Sequence, residues 1–178
     1  MPLSINKTLR IHNSVSCTFF APSDPCGVHG LRREHIRSTW NWRGAGPRQD
    51  VVLVNTGDGG NKALPMSGYA LARVLLLFSF KHDGETVPVA LVWWYNLAGE
   101  DGRRDELTGM WLVEREYRDS TVPHLAVVHV DTILRAAHLL PFFGSNRVPR
   151  DHSHNESLDT YHLFYVNRFA DHHSFELL

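Results

Sequence analysis

The chain predicts a mainly β fold, a small β-barrel with short peripheral helices, and three observations carry that prediction. Two apolar, β-branched and aromatic runs between Leu71 and Leu97 flank a polar segment with Asp83-Gly84 near its middle, a strong hairpin signal. Ala72 to Phe78 alternates poorly between apolar and polar residues, so both faces of that strand are expected to be buried. Strand-like runs recur every ten to twenty residues with turn signals between them, which argues against βαβ units.

Taken in order, residues 1–15 read as an N-terminal extension and 16–178 as one β-rich domain. Ser16–Phe20 is a strand stopped by Pro22-Ser23-Asp24-Pro25, because Pro fixes φ and Ser and Asp bond their own backbone. Leu31–Arg37 fits either a helical turn or a polar strand. Asp50–Thr56 is a strand, and Thr56–Gly68, rich in Gly, is a flexible loop. After the hairpin, 98–108 is a charged loop, and 110–114 and 124–130 are strands. Asp131-Thr132 offers a cap for a helical turn over Ile133–Ala137. His138–Phe143 reads as a last core strand and 144–155 as a loop. Glu156–His162 reads as a short helix, Phe164–Asn167 as β-like and Phe169–Leu178 as helical.

Composition excludes several functions. With 178 residues, 43% hydrophobic, the chain is long enough for a real core. A net charge of -1 predicts neither a bulk nucleic-acid grip nor a membrane-surface patch. No run approaches the ~18 apolar residues of a membrane span. Met1–Arg10 is short and polar and does not read as a secretory leader, so an intracellular location is expected. Cys17 and Cys26 form no CxxC pair; reduced thiols are the default, with a disulfide open. Neither GxSxG nor a catalytic cysteine context occurs. Gly57-Asp58-Gly59-Gly60 lacks the helix and GK[ST] of a P-loop.

Three constellations remain. Arg32, Arg33, Arg37, Arg43 and Arg48, interleaved with Trp40 and Trp42, have the composition of a nucleic-acid face, and equally that of packing over a barrel. Trp93, Trp94, Tyr95 and Trp111 fall at strand ends. One of Trp93 and Trp94 should face the core, while an exposed indole beside a Tyr could begin a methyl-lysine cage or a protein-binding hot spot. Asp151-His152-Ser153-His154 and Asp171-His172-His173 supply donors of the kind a divalent metal such as zinc uses. His152 and His154 would point the same way on a strand, whereas the adjacent His172 and His173 diverge. Asp-His-His also occurs in phosphoesterases, but the further Asp motifs those need are missing.

The blocks APSDPCGVHGLRREHIRSTWNWRG (21–44), ALARVLLLFSF (70–80), VPVALVWWYN (87–96), TGMWLVE (108–114), VVHVDTILRAAHLLPFFG (127–144) and YVNRFADHHSFEL (165–177) carry a resemblance. They resemble the C-terminal region of large fungal transposon-encoded proteins of the Plavaka-type, CACTA-like class. The resemblance spans roughly residues 12–178 in matching order and spacing. It departs at Cys26 and His29, where small residues are expected, and at Trp93-Trp94, where a single aromatic after a His is expected. It implies a C-terminal module without the transposase catalytic region, hence no catalysis, no cofactor and a nuclear setting. Separately, Val130, Asp131, Ile133, Leu139 and Pro141 are similar to the pattern of bromo-adjacent homology domains, SH3-like barrels of chromatin and protein interaction. The expected function is an interaction module for chromatin, DNA or a protein partner. Net charge weighs against DNA. A metal-binding domain or metal-dependent enzyme, and a transposon relic without selected function, are the alternatives.

Overall fold

The computed structural model describes residues 8–24, 28–57, 68–99, 104–145, 147–148, 150 and 152–178, leaving aside the side chain of His154. The central hairpin is as expected. Strands β6 (Tyr69–His82) and β7 (Glu85–Leu97) pair antiparallel from Leu71↔Tyr95 to His82↔Glu85. Asp83 and Gly84 close it with φ of 50° and 86°, the left-handed pair a two-residue hairpin turn requires.

Around this hairpin the chain builds a mainly β fold with a nearly closed small barrel. β1 (Arg10–His12) lies on β6 within the stretch read as an extension, and β2 (Ser14–Phe20) follows at once. β3 (Leu31–Thr39) and β4 (Arg48–Gln49) complete a small sheet with β2, and β5 (Val51–Asn55) pairs with β6. Next come β8 (Leu112–Arg115), β9 (Leu125–His129), β10 (Ile133–Ala137), β11 (Leu139–Pro141) and β12 (Leu163–Val166). The main sheet runs β10-β5-β6-β7-β8-β12-β11, with β9 on β7. Only His138 separates β10 from β11, so the chain itself joins the two ends of the sheet. Two short helices, α1 (Ser157–Thr160) and α2 (His172–Leu177), lie at the periphery.

Both faces of β5–β6–β7 are buried, which is why β6 does not alternate. Val52, Val54, Ala70, Ala72, Val74, Val92 and Trp94 join one apolar cluster with Ile36 of β3. Val51, Leu53, Leu71 and Tyr95 join the other, with Val113, Leu139, Phe164 and Val166. Each fully buried large side chain contributes about 1.5–3 kcal/mol.

Two local readings are resolved or corrected. Leu31–Arg37 is a strand, because pairing with β2 from Ser14↔Arg37 to Phe20↔Leu31 satisfies its backbone. Ile133–Ala137 is not helical. The turn is confined to Val130–Thr132, and the following residues pair with Val51–Val54 of β5. An isolated helical turn has no stability of its own, whereas this pairing also buries Ile133. The glycine-rich loop at 58–67 lies outside the described residues, as do Cys26 and Asp151. Among the described residues no helix is long and apolar enough to cross a membrane.

One irregularity positions the candidate site. A register shift between Val74 and Leu76 takes Leu75 out of the β6–β7 ladder. Its carbonyl instead accepts hydrogen bonds from Ser38 Oγ (2.8 Å) and Gln49 Nε2 (3.2 Å). The bulge thereby docks the β3–β4 pair, and the loop between them, onto the barrel.

Candidate functional site

The loop joining β3 to β4 brings arginines around an indole. Ser38↔Gln49 and Thr39↔Arg48 are register partners, so Arg37 and Arg48 sit diagonally on one face. Between them Trp42-Arg43-Gly44-Ala45 is a tight turn, with Ala45 N–H donating to Trp42 O (3.0 Å) and φ of 54° and 78° at Arg43 and Gly44. Trp42 N–H donates to Gly46 O (2.7 Å), and Gly44 N–H to Asn41 Oδ1 (2.9 Å). The guanidinium carbons of Arg37, Arg43 and Arg48 lie 4.5, 5.1 and 5.1 Å from the Trp42 ring centroid. Trp40, on the same loop, is 80% exposed.

Charge pairing separates these arginines. Arg48 Nε donates to Asp50 Oδ1 at 2.7 Å, and the Arg37 backbone N–H donates to Asp50 Oδ2 at 2.9 Å. The Arg37 side chain donates to His35 O (3.2 Å). Among the described residues no carboxylate pairs with the Arg37 or Arg43 guanidinium. Arg43 also holds a left-handed conformation that Gly or Asn would adopt more cheaply. An Arg there costs about 1–2 kcal/mol. The two other arginines of the expected face stand apart. Arg32 points inward to Asp24, and Arg33 donates to Ser16 Oγ (2.9 Å) on the outer face of β2–β3.

Beside β3 lies a charged hub, of whose members the sequence reading singled out only Asp171 and His173, as metal donors. Arg135 of β10 is only 4% exposed. Its guanidinium donates to both Asp171 oxygens (2.9 and 2.6 Å) and to His173 Nδ1 (3.1 Å), and stacks 4.7 Å from the Phe19 centroid. Glu34 of β3 lies 3.5 Å from Arg135 Nε and accepts the Ala136 N–H (3.1 Å). The hydrogen bonds from Arg135 hold the Asp171 carboxyl far below its ordinary range. Burial raises Glu34, the Arg135 charge only partly offsetting it. Burial, helped by Arg135, lowers His173. The hub ties β3, β10 and α2 together and fixes the strand that carries Arg37.

The aromatics at the hairpin end take the two sides alternation predicts. Trp94, Tyr95 and Trp111 are buried in the two cores rather than exposed for contact. Neighbours on β7 face opposite sides as expected, but both sides are covered. Trp93 is half-buried and donates from Nε1 to Glu116 O (2.7 Å). Tyr117 meets it edge-on at 5.4 Å, and the Arg115 guanidinium lies 5.2 Å from its ring, so an internal cation already occupies the cage position. Burial pushes the Tyr95 phenol up to about 12 and the Cys17 thiol up to about 11, which leaves neither ionised at neutral pH.

His152, Asp171 and His173 of the metal alternative are engaged by other partners. His152 Nε2 bonds Ser157 Oγ (3.1 Å) and its ring meets Tyr161 at 5.2 Å. Asp171 serves Arg135 and caps α2 by accepting the Ser174 N–H (2.8 Å). His173 stacks on Phe19 (4.9 Å), while His172 is exposed on the other side of α2. Among the described residues no three His, Cys, Asp or Glu side chains gather as a metal site. Asp151 and the His154 side chain lie outside the described residues.

Comparison of the chain with family models, with curated proteins and with solved structures finds no match in any of the three. The site therefore rests on geometry. Sequence composition flagged Arg37, Trp40, Trp42 and Arg43. It missed Asp50, Glu34 and Arg135; for Arg135 the sequence signal is a charge inside an otherwise apolar strand, Ile133-Leu134-Arg135-Ala136-Ala137.

Proposed function

We propose that this chain is a non-catalytic interaction module whose arginine–tryptophan loop contacts single-stranded nucleic acid. The observation that carries the reading is the Arg37–Trp42–Arg43–Arg48 cluster beside the exposed Trp40, held on a turn that keeps Arg43 in a strained conformation. Guanidinium groups suit phosphate oxygens, and an exposed indole offers a stacking face to any unpaired base. The resemblance to the C-terminal region of fungal transposon-encoded proteins supplies a nuclear setting in which such a strand is encountered. A net charge of -1 restricts the grip to this local patch, so the affinity is modest and strongly dependent on salt.

Three phosphate contacts on a single strand correspond to a log–log salt slope of about -2. Binding should then weaken about 16-fold between about 50 and about 200 mM salt. Anisotropy titration of a labelled single-stranded oligonucleotide tests this, with Trp40→Ala as the comparison. Loss of most binding in Trp40→Ala together with that slope supports the proposal. Absence of binding at low salt, or equal binding by Trp40→Ala, overturns it. A histone tail peptide, or an acidic peptide, that binds in place of the strand also overturns it.

A further inference from the structure

A cleft of about 380 Å³ opens beside the arginine–tryptophan loop, between β3, the β4–β5 junction and the β10–β11 junction. Its volume is in the range of small-molecule sites. Both signs of charge line it, but they are not equally available. Glu34 is taken up by Arg135 and the Ala136 N–H. Asp50 is taken up by Arg48 Nε and the Arg37 N–H. The groups that still face the opening with donors to offer are the Arg37 guanidinium, the terminal nitrogens of Arg48 and the imidazole of His138. His138 is held at Nδ1 by Asn167 Nδ2 (2.9 Å), which leaves Nε2 for a ligand, whereas the His35 ring is turned to Ser16 Oγ (3.4 Å) on the outer face of β2–β3. Arg135 lies buried in the cleft wall, its charge taken up by Asp171 and Glu34.

A cleft whose carboxylates are spent on protein donors and whose remaining donors are two guanidinium edges and one imidazole selects against cations and for a compact oxyanion. We infer that this cleft is a phosphomonoester site, able to hold a free nucleoside monophosphate or the 5′-phosphate end of a strand. The inference goes beyond the strand-binding proposal, because the cleft needs neither a base nor Trp40. Arg37 and Arg48 are the groups the two sites share.

Phosphorus and imidazole NMR separates the possibilities. Inorganic phosphate and a nucleoside monophosphate are titrated at constant ionic strength against chloride, into wild type, Trp40→Ala, Ala170→Glu and Arg48→Gln. Ala170 lies on the exposed rim of the cleft, so Ala170→Glu sets a carboxylate there without disturbing the core. Saturable shifts at His138 in wild type and Trp40→Ala, reduced at least tenfold in Ala170→Glu and Arg48→Gln, support the site. Shifts no larger than those with chloride overturn it, as does binding unchanged in both cleft variants. Oligonucleotides with and without a 5′-phosphate then distinguish the source. A gain confined to the phosphorylated end assigns a strand terminus, and equal affinity for the free monophosphate assigns a small molecule. Loss of strand binding with retained phosphate binding in Trp40→Ala keeps the two proposals distinguishable.

Discussion

Replacing Arg135 by Met removes the hub while keeping an unbranched side chain in the β10 position. In the native chain Arg135 makes two hydrogen bonds to Asp171, one to His173 and an ion pair to Glu34, with 5% of its side chain exposed. Removing one partner of a buried pair typically costs about 3–5 kcal/mol, because the other charges stay behind unpaired. Asp171 and Glu34 have 22% and 27% of their side chains exposed, so water recovers part of the loss and the lower end, about 3 kcal/mol, applies. With a urea slope of about 2 kcal/mol/M, the midpoint falls by about 1.5 M. Equilibrium urea unfolding followed by tryptophan fluorescence measures it. The double variant Arg135→Met/Glu34→Met removes one stranded carboxylate and should recover part of the loss, a coupling the double-mutant cycle reads directly. A midpoint change under about 0.5 M for Arg135→Met would refute the reasoning, because the hub would then contribute little more than an exposed pair.

Three further outcomes follow from single residues. Arg43→Asn relieves left-handed strain, so it should raise the melting temperature by about 2–4 °C per kcal/mol recovered while weakening the oligonucleotide. A variant that is less stable, or that binds unchanged, contradicts the functional account of that strain. The folded-state pKa of His173 is lowered by burial and by Arg135, so the neutral ring is favoured in the folded chain. Its contribution is complete above the ordinary histidine pKa of about 6.5 and is lost as pH falls below it. His173→Gln should flatten the decline of the urea midpoint between about pH 7 and pH 5, and an unchanged decline counts against this role. Asp171, depressed by Arg135, contributes above the ordinary carboxylate range and loses that contribution as pH falls further, while Glu34, raised by burial, changes in the opposite sense. Asp171→Asn should therefore remove part of the acid decline below about pH 4, measured by the same titration; a decline left intact assigns it to other carboxylates.

The barrel was legible because its signals are local. Asp83-Gly84 marks the turn, and the unbroken apolar run in β6 announces burial on both faces. The same double burial covers Trp94 and Tyr95: alternation sends them to opposite faces, and both faces of β7 are packed at that point. Ile133–Ala137 was misread because Asp131-Thr132 is real turn chemistry, used here for a single tight turn before the chain pairs with β5. The hub was invisible because its contacts are distant in sequence: Glu34 meets the Ala136 N–H, and Arg135 meets Asp171. The arginine–tryptophan loop was legible as composition only. Which arginines gather on Trp42 and which are taken by Asp24 or Ser16 depends on strand register and on the left-handed turn at Arg43.

The five tryptophans offer the most direct test of the functional account. Their indole N–H resonances report separately on the loop (Trp40, Trp42), the hairpin end (Trp93) and the cores (Trp94, Trp111). On titration with a single-stranded oligonucleotide at low salt, the Trp40 and Trp42 signals should move and saturate together, while those of Trp93, Trp94 and Trp111 stay in place. Movement led by Trp93, or no movement at Trp40, would contradict the assignment of the arginine–tryptophan loop as the contact surface.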